Sequence, residues 1–98
     1  MVIWSEPAKA DLRSIHDFIA RDSRHYAKKV AQDIRKKTDV LNDLPKLGKK
    51  VPELSDDAVR ELSMHSYRII YEIKSQDAFV LAVVHKRRDL KAGNIGKP

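Results

Sequence analysis

The 98-residue chain contains no cysteine, which excludes a disulfide framework, a thiolate zinc site and a cysteine nucleophile, and fits a reducing compartment. Glycine is almost as scarce. The three, Gly48, Gly93 and Gly96, are too scattered to cluster backbone N–H groups around a phosphate, so nucleotide hydrolysis is set aside. No Gly-x-Ser-x-Gly turn is present to expose a serine nucleophile. The four histidines, at 16, 25, 65 and 85, include no i, i+4 pair carrying a glutamate between them, so neither a metal nor a cofactor is expected. Long apolar runs are missing as well: the longest, Ala78 to Val84, has seven residues, against the ~18 that a membrane span needs. The first residues run straight into a polar, periodic segment, so no secretory signal is expected. These absences lead to the expectation of a soluble, cytoplasmic protein without a membrane partner.

Positive charge, by contrast, is in excess: Lys and Arg number 20 against 14 Asp and Glu, a formal net charge of +6. Such a balance favours an acidic partner, whether nucleic acid, ribosome or protein. Its distribution is uneven. Residues 23–44 carry net +3 and residues 84–98 net +4, while residues 45–83 are neutral and residues 1–22 carry −1. The length supports one domain, 1–98, able to bury roughly two thirds of its unfolded surface, with 92–98 expected as a flexible tail.

Periodicity supplies the architecture. Val2, Ile3 and Trp4 form a short β-prone run, followed at once by Ser5 as an N-cap, Glu6 near the positive helix end and Pro7 in the first turn. Leu12, Ile15 and Ile19 then recur at helical spacing beside Phe18. Asp22 and Ser23 interrupt this pattern, and a second one runs through Ala27, Val30, Ile34, Leu41 and Leu44 until Pro45 and Gly48 end it. Two amphipathic helices with so short a link pack as an antiparallel hairpin. Residues 45–57 hold two of the four prolines and no period, and read as a loop. Ala58 to Leu62, Tyr67 to Lys74 and Phe79 to Lys86 are β-type runs; the third is almost wholly apolar, as a strand in a sheet interior would be. The expected fold is therefore α+β in the order β-α-α-β-β-β, a helical hairpin packed on one face of a mostly antiparallel four-stranded sheet.

Candidate functional residues lie on the strands: Arg60 and Arg68 on the first two β-runs, and His85, Lys86, Arg87 and Arg88 leaving the third. Arginine forks match phosphate oxygens and carboxylates alike. One reading is a phosphate-facing or protein-docking surface. The other pairs Arg60 or Arg68 with Glu61, Glu72 or Asp89 as structural ion pairs, and makes residues 86–88 a solubilising exit from an apolar strand. Tyr67 and Tyr71 share their alternation with Ile69 and Ile73, which favours core packing over base stacking.

Several segments together carry a family resemblance: Trp4-Ser5-Glu6-Pro7-Ala8 with Asp11-Leu12, Leu44-Pro45 with Leu47-Gly48, Val59-Arg60-Glu61-Leu62, Tyr67-Arg68-Ile69-Ile70-Tyr71, and Val83-Val84-His85-Lys86-Arg87-Arg88-Asp89-Leu90. In this order and spacing the chain resembles the RelE/ParE superfamily of toxins from bacterial type II toxin–antitoxin modules, whose fold has the same element order. The resemblance implies a cognate antitoxin that forms a hetero-oligomer with the toxin, and contact with operator DNA only through that antitoxin.

Two activities occur among such toxins. RelE-like members cut mRNA on the ribosome; in their pattern Arg68 matches one catalytic arginine and Arg87 a second, with His85 the remaining group able to move a proton. The expected lysine-bearing strand here reads Val59-Arg60-Glu61-Leu62, and residues 89–98 supply no Tyr or His. ParE-like members bind and poison DNA gyrase, and the Arg60-Glu61-Leu62 and His85-to-Leu90 segments resemble theirs more. The expectation is thus a ParE-like gyrase inhibitor rather than an enzyme, with Arg60, Arg68, Lys86, Arg87 and Arg88 as target-binding residues. Ribosome and mRNA are the alternative targets.

Overall fold

The computed structural model describes residues 1–88; the expected tail 92–98 and the expected partner Asp89 lie outside the described residues. Strand β1 (Val2–Trp4) leads into helix α1 (Glu6–Ala20) and helix α2 (Arg24–Asp39), followed by a 3-10 turn (Val40–Asn42). Four further strands complete the order: β2 (Lys49–Lys50), β3 (Val59–Met64), β4 (Tyr67–Lys74) and β5 (Asp77–His85). The sheet runs β1-β5-β4-β3-β2, with β1 parallel to β5 and the other pairs antiparallel. Among the described residues no helix is long and apolar enough to cross a membrane.

Local chemistry explains the helix starts. The Ser5 hydroxyl accepts from the Ala8 N–H and the Ser23 hydroxyl from the Tyr26 N–H, each satisfying an amide that the helix itself leaves open. Ala8 and Leu12 of α1 and Ala27, Val30 and Ile34 of α2 are buried against Leu62, Ile69, Tyr71, Val80 and Val83 of the sheet. The alternation of Tyr67, Ile69, Tyr71 and Ile73 thus faces the helices. Strand β5, hydrogen-bonded on both sides, is the interior strand that its apolar run implied. Ser75 and Gln76 join β4 to β5 with φ of 49° and 71°, the left-handed pair that a tight hairpin requires.

Two expectations need correction. The sheet has five strands, because Lys49 and Lys50, in the stretch read as a loop, pair with Glu61 and Arg60 on the edge of β3. Two exposed lysines are too short a run to show a period-2 pattern, so their pairing follows from the open edge beside them. The second helix stops at Asp39 rather than near Leu44. Tightening into a 3-10 turn buries Leu41 completely and leaves Leu44 57% exposed.

The sheet's other face carries a second apolar cluster of Val59, Ile70, Leu81, Ala82 and Val84, onto which Val51 and Leu54 fold from the segment after β2. Ile70 pairs with Ala82 but Tyr71 with Val80, so Leu81 is an extra, bulged residue. On the side where β1 ends, β5 is capped rather than left open: Ser5 N–H donates to Val80 O, Ser5 Oγ to Leu81 O, and the Val83 N–H to Asp11 Oδ2.

Candidate functional site

Arg68 sits on the sheet face away from the helices, beside Ser63 and Val84 in register. Its Nε and Nη2 donate to Glu61 Oε2, while Nη1 and Nη2 meet the Glu53 carboxylate edge-on at 2.7 and 2.8 Å. Nη1 also donates to the Arg88 carbonyl at 3.1 Å. A guanidinium has five N–H donors, and these five bonds occupy them all. Glu53's hydrogen bonds, with further help from Glu61, hold the guanidinium charge more firmly than water does, outweighing the opposing cost of burial. Glu61 is only 5% exposed, with Lys49 Nζ a further 3.5 Å neighbour. The ion pair with Glu61 is the structural reading of Arg68 offered above; the larger partner, Glu53, lies in a polar loop where no local pattern marks it.

Arg60 lies on the helix-facing side, in register with Tyr71. Its Nη1 donates to the carbonyls of Gly48 (3.0 Å) and Lys46 (3.4 Å). The Tyr71 hydroxyl accepts from the Gly48 N–H and donates to Pro45 O, and burial pushes its pKa up. Together these two side chains stitch the 45–48 turn to the sheet. Gly48 is required there: a Cβ would lie 2.5 Å from Tyr71 Oη and 2.7 Å from Glu61 O.

His85, Lys86, Arg87 and Arg88 are all exposed at the end of β5. The Lys86 N–H donates to Ser66 O and the Arg88 N–H to His85 O, which fixes a turn. His85 Nδ1 accepts from the Arg87 N–H, and the ring meets Tyr67 edge-on at 5.8 Å. The structure therefore brings Arg68 and the basic turn together only through the Arg88 backbone. Arg60 belongs to the opposite face, away from both.

A cleft of about 810 Å³ opens between α1 and α2, which the sequence reading did not identify. Trp4, Leu12 and Ala31 line its apolar part, and Lys9, Arg13, Lys28 and Arg35 give it a basic rim. The signal was available, because Lys9, Arg13 and His16 recur at i, i+4, i+7 on one side of a helix. Elsewhere, His65 Nε2 meets Asp33 Oδ2 at 2.8 Å and Lys29 Nζ the same oxygen at 3.2 Å, tying the β3–β4 turn to α2. His65, then Lys29, holds the Asp33 carboxyl below the usual carboxylate range.

Residues 2–90 match a family model described as the ParE toxin of the type II toxin–antitoxin system parDE. Among solved structures, the chain is similar to one titled "Chromosomal ParDE TA system from P. aeruginosa", with a TM-score of 0.71 and 23% identity over 86% of this chain and 92% of that one. At that identity the likeness speaks to the fold. No curated protein matches the sequence significantly.

Proposed function

Because the chain belongs to the ParE toxin family of type II toxin–antitoxin systems, we propose that it halts growth by binding and poisoning DNA gyrase, and that a cognate antitoxin neutralises it. The observation that carries binding over RNA cleavage is the enclosure of Arg68. A catalytic arginine must offer N–H donors to a phosphate whose charge grows in the transition state, and all five here are held by Glu53, Glu61 and the Arg88 carbonyl. Arg60 lies on the opposite face and engages backbone carbonyls through Nη1. Lys86, Arg87 and Arg88 keep their side chains exposed, and of the residues expected to bind the target they are the ones open to a protein surface.

The antitoxin reading is supported by the α1–α2 cleft. Its apolar lining and basic rim suit one face of an amphipathic acidic helix, with charge setting the encounter rate and apolar contact the lifetime. Operator DNA is contacted only through the antitoxin, and this mode of action needs no cofactor or metal. Induction in growing cells tests the reading. Cleaved plasmid that depends on gyrase, with intact translated mRNA, is the expected result. Cuts at codon positions in translated mRNA with normal supercoiling would contradict it.

A further inference from the structure

Helix α1 has two flanks with different surroundings. At roughly 100° per residue, Ala8, Leu12, Ile15 and Ile19 point to the core. Lys9, Arg13 and His16 fall on one side of that stripe, along the large cleft, while Asp11, Ser14 and Phe18 fall on the other. This second flank borders a separate groove of about 350 Å³, whose opposite wall is Tyr67, Val83 and His85, with Arg88 at its end.

Phe18 lies in the last turn of α1, and its surface is 67% exposed. A ring left this exposed buries little apolar area on folding, and covering it with a partner adds apolar burial that the fold itself does not supply. Its setting is cationic: the Arg21 guanidinium stands 5.9 Å from the ring centroid, and the exposed Arg88 closes the groove, next to Lys86 and Arg87. The Asp11 carboxylate also lines this groove, where it accepts the Val83 N–H of the opposite wall at 3.0 Å and is held by that backbone bond. An exposed aromatic ring with one arginine beside it and a second lining the same groove has the composition of an interface hot spot.

The geometry points to this groove as the docking site for an acidic surface segment of the target protein, which places an apolar side chain against Phe18 and its carboxylates against Arg21 and Arg88. The inference rests on the gyrase reading. Its continuity with the basic turn 86–88, and its position across α1 from the antitoxin cleft, favour the target as the occupant.

The test compares the wild-type protein with Phe18→Ser and Arg88→Glu in gyrase supercoiling inhibition and in affinity for the cognate antitoxin, after circular dichroism has shown all three folded. Because Phe18 is exposed, its replacement is expected to leave the melting curve unchanged. Both variants are expected to need at least tenfold more protein for half-inhibition, with antitoxin affinity within threefold of wild type. Undiminished inhibition by Phe18→Ser beside an active wild type overturns the docking site and leaves the gyrase reading standing. Lost antitoxin affinity with intact inhibition assigns the groove to the antitoxin and overturns it too. A wild type that leaves supercoiling untouched removes the gyrase reading, and the docking site with it.

Discussion

Replacing Arg68 by methionine separates a scaffold from a ligand. Methionine keeps most of the aliphatic stem and removes the guanidinium, so that Glu61, 5% exposed, and Glu53, whose side chain is 23% exposed, face each other without their shared cation. Removing one partner from a buried ion pair costs about 3–5 kcal/mol, chiefly because a charge stays buried without compensation. Lys49 Nζ at 3.5 Å still serves Glu61, and water reaches Glu53, so the low end, about 3 kcal/mol, is expected. For a domain of this size that lowers the melting temperature by roughly 12 °C or more. The assay is urea and thermal unfolding followed by circular dichroism. Adding Glu53→Gln and Glu61→Gln removes the two carboxylate charges that Arg68 holds together and is expected to recover a large part of the loss. A variant that melts within about 1 kcal/mol of the parent yet loses toxicity would refute the reasoning, because it would make Arg68 a contact to the target.

The triple charge reversal Lys86→Glu, Arg87→Glu, Arg88→Glu is expected to abolish growth arrest while the circular-dichroism spectrum stays that of the folded protein; an unfolded spectrum would return these residues to a structural role. Gly48→Ala forces a Cβ between Tyr71 Oη and Glu61 O and is expected to cost about 2 kcal/mol by overpacking, read in urea unfolding, whereas an unchanged midpoint would mean the 45–48 turn gives way freely. His65→Ala removes the main cause of the depressed Asp33 pKa. The stability tied to a depressed carboxylate is present above its ordinary value and is lost as pH falls through the folded one. The variant should therefore melt below the parent at pH 5, the difference shrinking as pH falls towards 2; a difference that widens on acidification contradicts the Asp33–His65 link.

How much of this was legible depended on how local the cause was. Ser5, Glu6 and Pro7 announce a helix start by chemistry within four residues, and the apolar run from Ala78 to Val84 announces an interior strand by composition. Both hold in the structure. The Lys49–Lys50 strand exists because β3 has a free edge, which is a tertiary fact. The early end of α2 reflects the need to seat Leu41, invisible in a pattern that counts Leu44 as equivalent. At the candidate site, Glu61 is a partner that the sequence offers to Arg68, but Glu53 reaches it from a loop fifteen residues away. The two flanks of α1 were less legible: Phe18 stands beside the core stripe in the sequence, and only the packing of α1 on the sheet shows that it stays 67% exposed.

We propose that this toxin acts by binding gyrase rather than by cutting RNA. The purified protein, freed of antitoxin, assayed side by side for inhibition of gyrase supercoiling and for cleavage of ribosome-programmed mRNA, tests it most directly. Loss of supercoiling with gyrase-dependent cleaved plasmid and intact mRNA is the expected result; codon-positioned mRNA cleavage with full supercoiling activity would make the protein a ribosome-dependent nuclease instead.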